Sequence, residues 1–256
     1  MVKINLGVFS LEGKLALVTG GGTGIGLGIS RAFVQAGARV VITGRRESVL
    51  QEASKELGEQ SLYQVHDITD RGSIPKLVEE IENNIGAIDI LVNNAGIHHK
   101  AWAQETTDED FERIIQTNLI SVFSLTRECV RYMIERKQGA IIMISSMAGL
   151  FGIDRVSAYG TSKSALTGLV NSLVTEYSEY NVRVNAIAPG WIESNMFLNA
   201  ISKDEARKQQ ITNRIAMDHF GKTEDIGNAA VFLASAAAKY ITGVVLPVDG
   251  GAAINF

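Results

Sequence analysis

Along nearly the whole chain, short apolar runs alternate with longer stretches in which apolar side chains recur every three or four positions. The short runs are Leu15 to Val18, Arg39 to Ile42, Ser61 to Val65, Ile88 to Val92, Ala140 to Ile144, Arg183 to Ile187 and Val244 to Val248. Between them lie helical patterns at Ile25 to Ala36, Glu47 to Leu57, Ser73 to Ile85, Phe111 to Ile134, Ser157 to Tyr180 and Ile226 to Ala236. Strands that are apolar throughout, rather than at every second residue, are covered on both faces. Strands joined by helices make right-handed crossovers and therefore parallel neighbours. The pattern predicts an α/β fold with one doubly wound, mostly parallel, seven-stranded sheet, and no composition break divides residues 1–256 into more than one domain.

Composition narrows the function. A hydrophobic fraction of 46% against 20% charged residues supports a large buried interior. A net charge of −4 without a long basic run argues against binding a nucleic-acid backbone. The single cysteine, Cys129, excludes an internal disulfide framework. Leu15 to Ser30 is uncharged, but its glycines make it a poor membrane span, and Lys3, Glu12 and Lys14 before it do not suit a secretion signal. The expectation is a cytoplasmic protein without a membrane partner.

A doubly wound sheet binds ligands beyond the carboxyl ends of its strands. After the first strand comes Thr19-Gly-Gly-Gly-Thr-Gly-Ile-Gly26, a TGxxxGxG turn with Gly20, Gly24 and Gly26 at the marked places. A sharp turn whose backbone N–H groups approach a phosphate at a helix start selects residues without Cβ. The strict GxGxxG string and a Walker lysine are both absent. After the second strand stands Thr43-Gly-Arg-Arg46, with no carboxylate to hold a ribose 2′-hydroxyl. A guanidinium there suits a 2′-phosphate, so Arg45, then Arg46, favours NADP(H), with NAD(H) as the alternative.

Tyr159 and Lys163 lie four residues apart in a helical stretch and so share a face. A free phenol has a pKa near 10, and lowering it by about 3 units takes roughly 4 kcal/mol, which a nearby cation in a water-poor cleft can supply. Such a tyrosine can exchange a proton with an alcohol or ketone oxygen. Ser145 and Ser146 follow the fifth strand, Asn118 sits within the long helical pattern, and Asn93-Asn-Ala-Gly96 follows the fourth strand.

In the order and spacing of TGxxxGxG, Asn-Asn-Ala-Gly at 93–96, Tyr-x-x-x-Lys at 159–163 and Pro189-Gly190, the chain resembles the short-chain dehydrogenase/reductase family over nearly its whole length. The resemblance implies a Rossmann-type fold and a role for each matching residue. Asn118 matches the helix-kinking asparagine of a proton relay, Ser146 the serine that meets the substrate oxygen, and Tyr159 the general acid/base. Lys163 matches the lysine that lowers the phenol pKa and binds the nicotinamide ribose. Coenzyme contacts are implied at Gly20, Thr23, Gly24, Ile25, Gly26, Asp67, Ile68, Asn94, Ala95, Gly96, Tyr159, Lys163, Pro189, Gly190, Ile192 and Ser194.

Residues 191–218 match the family's variable substrate lid and read as irregular. Trp191 and Asn195 in it, with His98, Ser146 and Tyr159, are the candidate substrate contacts. The closing segment from Gly221 to Gly251 is similar to gluconate 5-dehydrogenases, and much of it is shared with 3-oxoacyl-carrier-protein reductases. His98-His-Lys100 can attract a carboxylate, which favours a sugar acid. The paired histidines lack a carboxylate cluster, so no metal is expected. A non-catalytic NADP sensor would not need Asn118, Ser146, Tyr159 and Lys163 together, and a hydrolase using Ser146 lacks the GxSxG elbow. Apolar surface on the two long helices, which the family buries between subunits, implies a homotetramer.

Overall fold

The computed structural model describes residues 6–193 and 205–255. Its strands are β1 (Leu15–Thr19), β2 (Arg39–Gly44), β3 (Ser61–Val65), β4 (Ile90–Asn93), β5 (Gly139–Ile144), β6 (Val182–Pro189) and β7 (Val245–Val248). They form one sheet in the order β3-β2-β1-β4-β5-β6-β7, and every pairing is parallel. The order reverses between β1 and β4, which opens a crevice above their carboxyl ends. This is the expected Rossmann-type architecture, with no antiparallel strand among the described residues.

The helices are α1 (Gly24–Gln35), α2 (Glu47–Leu57), α3 (Ile74–Asn84), α4 (Asp108–Ile115), α5 (Ser121–Arg136), α6 (Ser157–Tyr177), α7 (Glu205–Asn213) and α8 (Thr223–Ala234). Uniformly apolar strands feed two cores. In β1, Leu15 and Leu17 face one side with α3, α5 and α6, while Ala16 and Val18 face the other with α1 and α8. In β5, Ile141 and Met143 join the first core, and Ala140, Ile142 and Ile144 the second. Burying both faces removes β1, β4 and β5 from water along their whole length, while the edge strands β3 and β7 stay partly exposed; that burial is the main favourable term in holding the sheet between its helix layers.

Two elements depart from the sequence reading. The long helical pattern is interrupted by a π-type turn, Gln116–Ile120, between α4 and α5. The pattern gives no sign of it because buried positions still recur every three or four residues, at Ile114, Asn118, Val122 and Leu125. The expected irregular stretch 191–218 contains α7. In the sequence Glu-Ala-Arg-Lys-Gln-Gln-Ile-Thr-Asn its good helix formers supply local propensity, but Ile211 is the only large apolar side chain, so no periodic signal exists. No helix among the described residues is long and apolar enough to cross a membrane.

Candidate active site

The turn after β1 is shaped by contacts that a side chain would break. Gly20 has φ +64°, and a Cβ on it would come within 2.9 Å of the Asn94 amide nitrogen. A Cβ on Gly26 would fall 2.2 Å from the Gly20 carbonyl oxygen. Gly24 also has a positive φ, +53°, but its Cβ position faces open space. Thr23 precedes α1 without capping it through its side chain, so the first-turn N–H groups face the opening that Gly24 leaves. A cradle of this kind, narrow behind and open in front at a helix N-terminus, fits a pyrophosphate.

Asn94 and Thr19 tie this turn to the end of β4. The Asn94 Nδ2 donates to the carbonyls of Thr19 (2.9 Å) and Gly20 (3.3 Å). The backbone N–H groups of Asn94 and Ala95 both donate to Thr19 Oγ1 at 3.0 Å. Ile25 packs on the core beneath α1 and Ile68 on the core beside β3. Arg45 and Arg46 are exposed beyond β2. Asp67, beyond β3, accepts from the Thr69 N–H and hydroxyl at 3.0 and 2.8 Å. Those bonds, helped by the nearby Arg45 guanidinium, hold its carboxyl below the usual range. Thus a cation stands beside Asp67 at the rim where the sequence pattern puts the adenosine end of a dinucleotide.

At the other end, Gly190 is packed against Asp249, whose Cα would lie 2.7 Å from an added Cβ. The turn after β6 therefore sits tight on the end of β7. Ile192 is buried and paired with Gly221, while Trp191 packs against a small cluster of Met147, Ile211 and Ile215. Ser194 and Asn195 lie outside the described residues.

The proton-transfer candidates converge. Ser146 stands beside the Tyr159 phenol, close enough to favour its deprotonation, and its oxygen accepts from the Ala148 N–H at 3.1 Å. Ser145 is different: it is buried and donates to the Lys163 carbonyl at 3.0 Å, so it fastens β5 to α6. Lys163 is buried, with Nζ 2.7 Å from the Ile144 carbonyl and 5.7 Å from the Tyr159 ring centre. Burial brings its amine down to about 8. Burial also raises the Tyr159 phenol above its ordinary value, against the pull of Ser146. The amine thus stands near the phenol on the same helix, but in the protein alone burial outweighs the Ser146 contribution.

Asn118 is fully buried inside the π-type turn. Its side chain accepts from the Ile97 N–H (2.8 Å) and donates to the Ile97 carbonyl (2.9 Å) and to Ser162 Oγ (3.1 Å). Ser162 in turn donates to the Tyr159 carbonyl at 2.7 Å. No motif in the sequence marks Ser162, and its place beside Lys163 on the tyrosine's helix is the one signal that points to it. Gly96 passes close by, with an added Cβ only 3.1 Å from Asn118 Oδ1 and 3.6 Å from Lys163 Nζ.

The two histidines after this turn separate. His98 packs its ring on Tyr159, with centroids 4.5 Å apart and planes at 47°. His99 faces Asp110 at 3.7 Å. The other two make ordinary structural contacts, His66 with Ser73 Oγ and His219 with the Phe220 carbonyl, each at 3.0 Å. Among the described residues, no three His, Cys, Asp or Glu side chains come together as a metal site.

A phosphate cradle at the switch point of a parallel sheet, facing a tyrosine and a lysine on one helix, defines a dinucleotide-dependent oxidoreductase. Residues 20–253 match a family described as enoyl-(acyl carrier protein) reductase. The chain is 42% identical over 248 residues to a 2-dehydro-3-deoxy-D-gluconate 5-dehydrogenase of Bacillus subtilis, covering 95% of this chain and 96% of that one. It is 37% identical to a 3-oxoacyl-[acyl-carrier-protein] reductase of Thermotoga maritima, covering 95% and 99%. A gluconate 5-dehydrogenase from Burkholderia cenocepacia, solved in complex with NADP and tartrate, superimposes with a TM-score of 0.92 at 33% identity, covering 96% and 98%. The chain belongs to the short-chain dehydrogenase/reductase family and is an NAD(P)-dependent oxidoreductase.

Proposed function

We propose that residues 1–256 form one catalytic unit that interconverts a secondary alcohol and a ketone with NADP(H), acting on a sugar acid or a related small polar substrate. The observation that carries the reading is the convergence on the Tyr159 phenol of Ser146, which favours its deprotonation, and of the Lys163 amine, 5.7 Å from the ring centre. Ser146 holds the substrate oxygen. Tyr159 gives it a proton during reduction and takes that proton back during oxidation. Lys163, fixed by the Ile144 carbonyl, offsets the burial of the phenolate. Asn118 keeps the Ile97 backbone and the start of α6 in register, and its place in the π-type turn suits a proton relay. When bound, a nicotinamide supplies or accepts the hydride and, in its oxidised form, brings positive charge to the cleft. Its dinucleotide would be held by Gly20, Thr23, Gly24, Ile25 and Gly26 at the pyrophosphate and by Asn94, Ala95 and Gly96 along the crevice. Asp67 and Ile68 would meet the adenine, and Pro189, Gly190, Ile192 and Ser194 the carboxamide end. The exposed guanidiniums of Arg45 and Arg46 support NADP(H) over NAD(H).

Sugar-acid chemistry is supported by the similarity to the Bacillus and Burkholderia enzymes. The Thermotoga relative supports a second reading, a 3-oxoacyl-acyl-carrier-protein reductase. A screen following NADPH oxidation, repeated with NADH, separates them. The expected result is turnover of 5-ketogluconate or a similar keto acid, faster with NADPH. Turnover of 3-oxoacyl thioesters alone would transfer the assignment to the second reading, and no turnover of any carbonyl would favour the non-catalytic sensor.

Residues 191–218 are proposed as the substrate lid, with Trp191 on its inner side. We also propose a homotetramer. Phe111, Ile115, Gln116 and Ile120 line an open groove along α4 and the π-type turn, and Phe123 continues its apolar surface on α5. Sedimentation equilibrium at micromolar concentration is expected to give four times the chain mass, and a monomer would reject the assembly.

A further inference from the structure

We propose that His98 is a specificity-determining residue that hydrogen-bonds a hydroxyl on the carbon next to the reacting carbonyl. The inference rests on the ketone–alcohol reading of the site and adds which feature of the substrate that site selects.

Position comes first. For proton transfer the Tyr159 oxygen must lie about 3 Å from the carbonyl oxygen. A ring whose centre is 4.5 Å from the tyrosine's ring is within reach of the substituents of the adjacent carbon. The backbone on either side of His98 is also anchored. On one side, Ile97 is bonded through both its N–H and its carbonyl to Asn118, at 2.8 and 2.9 Å. On the other, the Ala101 N–H donates to the Arg155 carbonyl at 2.9 Å, and Ala101 pairs with Val156, just ahead of the catalytic helix. Between these anchors His98 remains open to solvent on its outer edge. Among the described residues no hydrogen bond engages its imidazole.

The chemistry of the ring then decides what it reads. Partial burial, followed by the charges of Lys100 and His99, holds the His98 imidazole below its ordinary range, so it is neutral at neutral pH. A neutral imidazole offers one N–H donor and one acceptor nitrogen. A hydroxyl offers the same pair in reverse, whereas a carboxylate only accepts. His98 therefore matches a hydroxyl better than an acid group. This differs from the expectation that the His98-His99-Lys100 run attracts a carboxylate as a unit, because His99 is turned to Asp110 instead.

The test compares 5-ketogluconate with its 4,6-dideoxy analogue, which lacks both hydroxyls flanking the carbonyl. His98→Phe keeps a ring beside Tyr159 and removes the hydrogen bonds; His98→Asn keeps a donor and an acceptor. For His98→Phe, kcat/KM for 5-ketogluconate is expected to fall at least about 30-fold while the analogue changes less than about 3-fold. His98→Asn should recover part of the loss for the hydroxylated substrate alone. Equal losses on both substrates, or no loss on either, would overturn the role of His98. If the wild type reduces neither keto acid, the sugar-acid reading fails, and the same comparison on 3-hydroxybutan-2-one and butan-2-one decides His98. A wild type without preference for the hydroxylated member of that pair overturns it as well.

Discussion

Tyr159→Phe is expected to lower kcat and kcat/KM together by about 10³-fold while leaving the Kd for NADPH within about 2-fold of the wild type. The equal fall follows from the place of the hydroxyl in the reaction: it matters when the proton moves, and little when substrate and coenzyme assemble. Phenylalanine keeps the ring against His98 and beside the Lys163 amine, so the walls of the cleft stay in place. What disappears is a hydroxyl beside Ser146. Removing a buried hydroxyl together with its desolvation cost leaves stability within about 1 kcal/mol. Fluorescence titration with NADPH, thermal unfolding and steady-state rates on one preparation check all three statements. Unaltered rates would remove Tyr159 from the chemistry, and lost coenzyme binding would make its role one of packing.

Gly26→Ala is expected to act on the opposite side of the crevice and through the backbone. The new methyl would fall 2.2 Å from the Gly20 carbonyl oxygen and 2.5 Å from the Asn94 amide. Neither can yield alone, because Gly20 is held in a left-handed conformation and Asn94 is bonded to both Thr19 and Gly20. The turn must therefore move as a body, at a cost of about 2–3 kcal/mol for a forced overlap in a packed site. For a chain of this size that corresponds to a melting temperature lower by about 5–10 °C. The displaced turn no longer presents its N–H groups to a pyrophosphate, so NADPH affinity should fall at least about 100-fold. Gly24→Ala is the control: its Cβ meets nothing within 4 Å, and its cost is limited to the strain of its positive φ. A Gly26→Ala protein as stable as the wild type and with undiminished affinity would mean that the turn does not have this shape in solution.

The frame and the chemistry were legible in the sequence to different depths. Every strand appears within a residue or two of its apolar run; in the central strands burial on both faces leaves a signal that needs no partner to interpret, and the partly exposed edge strands β3 and β7 keep enough apolar residues to show it. The glycines at 20 and 26 were equally readable, since a buried strand that passes so abruptly into a helix leaves no room for a side chain at the turn. Ser145 and Ser146 are neighbours of the same type, and strand geometry alone sends them to different partners, Lys163 and Tyr159. The π-type turn was hidden because it alters hydrogen bonding without altering the spacing of buried positions. Helix α7 was hidden because its stability comes from composition rather than pattern. The contact of His98 with Tyr159 joins a loop residue to the first turn of α6, far apart in sequence, and the loop has no periodicity to read. Ser162 belongs with these cases: its role exists only because Asn118 and Tyr159 both reach it.

The central claim is that charge in the closed cleft reverses the effect of burial on the Tyr159 phenol, which in the protein alone lies above its ordinary value. The most direct measurement is the pH dependence of alcohol oxidation with saturating NADP⁺, for the wild type and Tyr159→Phe. Oxidation requires the deprotonated phenol, so the rate should rise with pH and level off, with a midpoint below the free phenol value. The residual rate of Tyr159→Phe should lack that step. A wild-type rate still climbing beyond pH 10, or the same step retained without the hydroxyl, would contradict the account.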